Sequence, residues 1–176
     1  MDDHTRAAGR VLYLVVCAAP PARSIGELII LAQQGGWTVC VIATPRAASW
    51  IDTPDLIERT GYPVRSDYKH PDDPDVLPRA DAVAVVPATF NTINKWAAGI
   101  SDTFALGVLN EALGLGLPIV VAPYVKAALA AHPAFARSLG LLRDCGAIVT
   151  PTEAIRPAKE GEPFLWSAVV DVFSSK

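Results

Sequence analysis

The chain has 176 residues, 51 % apolar and 19 % charged, with 15 Lys and Arg against 18 Asp and Glu for a formal charge of −3. That length suits one domain with a substantial core, and the apolar share excludes a disordered chain. The charge gives no electrostatic case for nucleic acid, and the apolar runs are strand-length and broken by Pro or Gly, so no membrane span is expected.

The opening MDDHTRAAGR lacks the basic and apolar regions of a signal peptide; residues 1–9 read as a flexible tail on a single domain, and His4 is set aside with it. Cys17, Cys40 and Cys145 are odd in number and show no metal spacing. Cys17 and Cys40 lie in apolar runs, where a reduced, buried thiol is expected, and Cys145 reads as a semi-buried structural residue. A cytoplasmic protein is the expectation.

Strands and helices then alternate, the pattern of a parallel sheet with helices on both faces. Residues 11–17 (VLYLVVC) form a strand buried on both sides. Residues 25–34 have helical spacing and stop at Gly35-Gly36. Residues 37–43 are the second strand, 49–60 a helix ended by Gly61-Tyr62-Pro63, and 82–86 the third strand. A helix from Asn91 breaks near Gly99, and another covers 103–113. Residues 117–122 are the fourth strand, 133–142 a helix, 147–149 a short fifth strand and 164–173 a terminal helix. The polar segment 64–79 reads as an irregular loop.

The most informative stretch is 83–105, VAVVPATFNTINKWAAGISDTFA. It carries a Thr/Asn-rich turn from a strand end into a helix N-terminus, where open α/β sheets bind anionic or aromatic cofactors. An ordinary capped strand–turn–helix unit has the same look. The string PATFNTINKWAAGISD resembles the PASANTINK-type motif of the homo-oligomeric flavin-containing cysteine decarboxylases, which include phosphopantothenoylcysteine decarboxylase and the lantibiotic peptidyl-cysteine decarboxylases. Pro87, Ala88, Asn91, Thr92, Ile93, Lys95, Gly99, Ile100 and Asp102 carry the match. The resemblance implies a flavodoxin-like three-layer α/β/α sandwich with a mostly parallel sheet. It implies FMN against Pro87, Ala88, Thr89, Asn91 and Thr92, with Asn91 holding the isoalloxazine and the substrate carboxylate. It also implies a homotrimer, or a dodecamer of trimers, with FMN at the subunit interface. The helix 103–113 and Trp96 would suit burial there, although Trp96 reads equally as core.

Three more loops follow strands. In 17–24 (CAAPPARS), Ala18, Ala19 and Ser24 suit contact with flavin phosphate and ribityl by resemblance, although two prolines remove N–H donors that would face a phosphate. In 44–50 (TPRAASW), Thr44 resembles the family's hydroxyl beneath the ribityl, with an aromatic residue following. Arg46 reads either as a phosphate partner or as a solvated arginine. The third loop, 122–132 (APYVKAALAAH), stands where the family has PxMNxxMW. Pro123 matches, but Lys126 replaces the Asn that reads the cysteinyl carboxylate; it reads either as a substrate contact acting as a point charge or as a solvated lysine at a helix start.

The family's catalytic His falls, in a gap-free count, on Asp73; His70 takes the role only in a longer loop, and His132 is the other candidate. The segment 156–164 (RPAKEGEPF) has Gly161 but neither the Gly-Arg-(Met/Tyr) signature nor a flap cysteine. Three readings follow. The first is an FMN-dependent decarboxylase or oxidoreductase acting on a small carboxylated substrate other than phosphopantothenoylcysteine. The second is a non-catalytic FMN-binding or regulatory subunit. The third is a flavin-free α/β binding domain.

Overall fold

The computed structural model describes residues 9–174; the expected tail, apart from Gly9, lies outside them. Five strands form one parallel sheet in the order β2-β1-β3-β4-β5. They are β1 Arg10–Val16, β2 Trp37–Ala43, β3 Ala82–Ala88, β4 Ile119–Pro123 and β5 Ile148–Val149. β1 pairs with β2 from Arg10↔Trp37 to Val16↔Ala43, and with β3 from Leu12↔Ala82 to Val15↔Val85.

Period-two alternation divides the strand side chains between two cores. Leu12, Leu14 and Val16 of β1 pack with Val39 and Val41 of β2 against α1 (Ile25–Gln34), α3 (Thr53–Thr60) and α8 (Ser167–Ser174). Val15, Cys17, Val83, Val85, Ile119 and Val121 face α4 (Phe90–Ala97), α5 (Phe104–Gly114) and α7 (Pro133–Asp144) on the other side. The result is the flavodoxin-like α/β/α sandwich. Burying each Leu, Ile or Val contributes about 1.5–3 kcal/mol, so a sheet clad on both faces supplies most of the driving force.

Several boundaries differ from expectation. The helix expected over 49–60 is only α3, and a separate helical turn, α2 (Pro45–Ala48), forms in the expected 44–50 loop, because two caps operate: Thr44 Oγ1 accepts from Ala47 N at 3.2 Å and Asp52 Oδ1 from Asp55 N at 3.1 Å. Each is followed by a proline in the helix's first turn, where no intrahelical N–H is needed. β3 continues beyond Val86 through Pro87, whose preceding peptide bond is cis, to a buried Ala88. Proline removes only a donor, and its carbonyl still accepts from Cys17 N. β1 ends one residue early, with Cys17 just past it, and α8 begins at Ser167 instead of 164.

Trp96 is 1 % exposed within the α4/α5/α7 core, so it belongs to the monomer's interior and not to an interface. The same correction applies to the helix at 103–113: Ala105, Leu106, Leu109 and Ala112 of α5 are turned into this core. Cys145 is exposed, not semi-buried, because it follows the last turn of α7 as its C-cap. No helix among the described residues is long and apolar enough to cross a membrane.

Candidate functional site

Chain direction reverses between β1 and β3: β1 leads through α1 to the edge strand β2, while β3 leads through α4 and α5 to β4. Crevices at the carboxyl ends of strands flanking such a switch point are where doubly wound sheets take ligands. The loops after β1 to β4 meet there, fixed by backbone bonds. Cys17 N donates to Pro87 O at 3.2 Å, Thr44 N to Val16 O at 2.9 Å and Tyr124 N to Ala88 O at 2.9 Å. Pro87, Ala88, Thr89, Asn91 and Thr92 are thereby placed beside Cys17, Ala18 and Ala19.

The cap of α4 is Thr89, whose Oγ1 accepts from Thr92 N at 3.5 Å and lies 3.2 Å from Thr92 Oγ1. Asn91, the second residue of the helix, is exposed and therefore available to a ligand, while Thr92 is 5 % exposed. Cys17 is 1 % exposed beneath this turn. Burial pushes its thiol above the ordinary cysteine range, against hydrogen bonds from Thr92 and Thr89. Its place at the floor of the crevice is not legible in the sequence, where an apolar run indicates only a buried thiol.

The β1 loop is a short 3₁₀ turn, Pro20–Ser24. Pro20 and Pro21 have no N–H, and the amides of Ala19 and Ala22 are spent on Cys17 O and Ala19 O at 3.0 and 2.9 Å. Four backbone positions of this turn are thereby unable to donate to a phosphate, and Ser24 adds a side-chain hydroxyl. Thr44 is half-buried and its oxygen caps α2, while Arg46 and Trp50 are exposed. Hydroxyls at Ser24 and Thr44, the Arg46 guanidinium, the Asn91 amide and the N-terminal amides of α4 make a donor set that fits a flavin mononucleotide.

Pro123 ends β4 buried, and Lys126 is the exposed N-cap of a four-residue helix, α6 (Ala127–Ala130). His70 is not brought to the crevice by any of its bonds. Its side chain is 70 % exposed, its N–H donates to Asp73 and its Nδ1 lies 3.3 Å from Asp72, all within one loop. His132 comes closer to the motif: it caps α7 by accepting from Ala134 N at 3.1 Å, and its ring meets Phe90 edge-on with centroids 5.7 Å apart. Nδ1 is thereby an acceptor.

On the α1 side of this edge lies a groove of about 780 Å³ whose lining includes Ser24, Glu27, Tyr124, Arg156, Glu160 and Phe164. A separate cavity of about 320 Å³ lies beneath 65–80, near Tyr13 and Phe104 in the other half of the sheet; Tyr13 Oη donates to Pro78 O there at 2.7 Å.

The model of the family described as Flavoprotein matches residues 6–175. The chain belongs to the flavoprotein family. A cysteine/cysteine sulfinic acid decarboxylase from an unknown prokaryotic organism is 39 % identical over 67 residues, 38 % of this chain and 18 % of that protein. The coenzyme A biosynthesis bifunctional protein CoaBC of Bacillus subtilis is 29 % identical over 127 residues, 68 % of this chain and 30 % of its own length. The matched residues thus span less than a third of either curated relative. Among solved structures, the FMN-dependent cysteine decarboxylase SpaF superposes with a TM-score of 0.73 at 24 % identity, covering 97 % of this chain and 99 % of SpaF. That likeness extends the flavoprotein fold over the whole described chain.

Proposed function

We propose that this flavoprotein binds FMN and acts as a flavin-dependent decarboxylase or oxidoreductase on a small carboxylated substrate. The observation that carries the reading is the position of the 87–92 turn, bonded to the end of β1 at the switch point with Asn91 facing out. The named activities of SpaF and of the cysteine/cysteine sulfinic acid decarboxylase support the reaction class. Bound FMN would accept a hydride equivalent from the substrate, which prepares the substrate for loss of CO₂. Asn91 would orient ring and substrate; Ser24, Thr44 and Arg46 would hold the ribityl phosphate.

Phosphopantothenoylcysteine is not the substrate in this reading, because exposed Lys126 stands where the family's clamp Asn would be. A second reading, a non-catalytic FMN-binding subunit, is favoured by His70, whose bonds stay within its own loop. Homo-oligomeric assembly, as a trimer or a dodecamer of trimers, is part of the proposal. It is supported by the exposed apolar side chains of Ile100 and Leu129, both 42 % exposed, on the α4–α5 turn and α6.

The test begins with the absorption spectrum of purified protein and calorimetry with FMN, FAD and NAD; preference for NAD, or no flavin binding, ends the reading. Anaerobic bleaching of bound flavin by small thiol carboxylates separates the enzyme from the non-catalytic subunit. Light scattering after gel filtration gives the assembly.

A further inference from the structure

The apolar residues of α5 serve two surfaces. Ala105, Leu106, Leu109 and Ala112 fill the core shared with α4 and α7. Phe104, Val108, Ala112 and Leu115, spaced by four, four and three, form a second stripe that lines the cavity of about 320 Å³ beneath residues 65–80. At 1.5 Å per residue this stripe runs about 16 Å along the helix axis. Tyr13 and Val83 of the sheet, Leu117 before β4 and Leu77 of the covering segment add further apolar wall. The lining is left partly open by its own chain: Leu115 is 61 % exposed and Val76, on the same cavity, 44 %. A volume of about 320 Å³ drawn out over that length is a narrow trough, at the low end of the range of about 300–1,000 Å³ usual for small-molecule sites.

The Phe104 end of the trough is charged. Arg65 is fixed there through its backbone: its N–H donates to Val41 O at 3.1 Å and its carbonyl accepts from Ala43 N at 2.8 Å, a single bridge beside the edge strand β2. Its guanidinium lies 5.1 Å above the Phe104 ring, and Nη2 donates to Asp67 O at 3.1 Å. Arg65 is half-buried, yet none of the ion pairs among the described residues involves it. Lys69, by contrast, is paired with Asp75 at 2.8 Å. With Arg79 and Glu111, three cations and two carboxylates line the cavity, an excess of one positive charge. None of the residues lining it belongs to the four loops that form the crevice at the carboxyl ends of the strands.

We propose that this trough is a second ligand site, for a singly charged, unbranched alkyl carboxylate. The head pairs with Arg65 beside Phe104, and the chain lies along Val108 and Ala112 toward Leu115. The carboxylate supplies the counter-charge that Arg65 lacks, and the chain covers the apolar stripe that the protein leaves open.

Calorimetry on purified protein with hexanoate, octanoate and decanoate, each below its micelle concentration, tests this. Affinity should rise about fourfold for each added CH₂, the equivalent of about 0.8 kcal/mol. Octanoate should bind at least about tenfold more tightly than 1-octanol or octylamine, the scale of one charge-assisted hydrogen bond. Arg65→Gln should abolish the preference for octanoate over octanol and leave octanol unchanged. Leu115→Glu, at a side chain exposed enough to accept substitution, adds a carboxylate at the far end and should weaken decanoate at least about fivefold. Excess FMN should leave octanoate binding unaltered; displacement by FMN would put the ligand in the crevice and overturn the inference. Equal binding of octanol and octanoate, or no gain with chain length, also overturns it. So does a decanoate affinity within twofold of the parent in Leu115→Glu, and this outcome is decisive even if Arg65→Gln does not fold. If no carboxylate binds and Leu115→Glu lowers the mass read by light scattering, the trough is a contact between copies and the inference fails.

Discussion

The backbone N–H of Cys17 donates to the carbonyl of Pro87 at 3.2 Å, joining the end of β1 to the end of β3 where the chain changes direction. With Thr44 N on Val16 O and Tyr124 N on Ala88 O, it sets the loops after four strands by main-chain bonds alone. The crevice therefore keeps its shape whatever side chains those loops carry.

Asn91 and Thr89 should separate by their effects. Thr89 caps α4, so Thr89→Ala should lower folding stability by about 0.5–2 kcal/mol. Asn91 is exposed and is not the cap, so Asn91→Ala should leave urea unfolding nearly unchanged while weakening FMN retention. Dialysis of the FMN-loaded variants, read by absorbance, checks this; equal retention in Asn91→Ala and the unsubstituted protein would remove Asn91 from the site.

Thiol chemistry gives an independent check of the crevice floor. Cys145 is exposed, whereas Cys17 and Cys40 are 1 % and 0 % exposed. Burial also pushes both inner thiols up, which leaves little thiolate to react. A chromogenic disulfide reagent should modify one thiol per chain in native protein and all three in denaturant, with mass mapping placing the first at Cys145. Fast modification of Cys17 would mean that the β1–β3 floor is open.

The parts legible in sequence are those whose signal is local. The continuous apolar runs at β1 and β2 and the Gly35-Gly36 stop after α1 each declare themselves within a few residues. The late start of α3 and the extra turn α2 are equally local but differ from the loop and helix expected, because Thr44-Pro45 and Asp52-Thr53-Pro54 are cap signals that set where each helix begins. The Glu27–Trp166 bond joins residues 139 apart, and Arg156 reaches Tyr124 across 32. No pattern within either segment specifies its partner, so this wall of the groove beside α1 appears only once the chain is folded.

Alkaline pH should destabilise the fold through the half-buried Tyr13 and the buried Cys40. Tyr13 is pushed up from 10.0 to about 12, first by burial and then by Cys40, Asp75 and Glu111, and Cys40 by burial from 9.0 to about 12. The unfolded chain loses these protons near their ordinary values, while the native chain holds them to about pH 12. Between those limits the unfolded state binds fewer protons, and stability falls as pH rises; below about pH 9 the contribution is fully present. The urea midpoint should be level up to about pH 8.5 and decline above it. In the Tyr13→Phe, Cys40→Ala double variant the decline should be shallower, and an unaltered slope would assign it to other groups.

Tyr68 and Gly107 should be energetically coupled, as a double-mutant cycle can measure. A Cβ on Gly107 of α5 would sit 2.5 Å from Tyr68 Oη. That phenol donates between Ser101 O and Thr103 O, at 3.2 and 3.1 Å, and its ring stands edge-on to Phe104 at 5.6 Å, anchoring the 64–81 segment to the start of α5. Gly107→Ala gains about 0.8–1 kcal/mol of helix propensity but displaces the phenol from bonds worth about 0.5–1.5 kcal/mol. Alone it should be close to neutral. In a Tyr68→Ala background the clash is gone, and the same substitution should stabilise by about 0.8–1 kcal/mol. Urea unfolding of the four proteins measures the difference. The same change in stability in both backgrounds would show that Tyr68 does not occupy the Gly107 notch in solution, and that the segment bearing His70 is not anchored there.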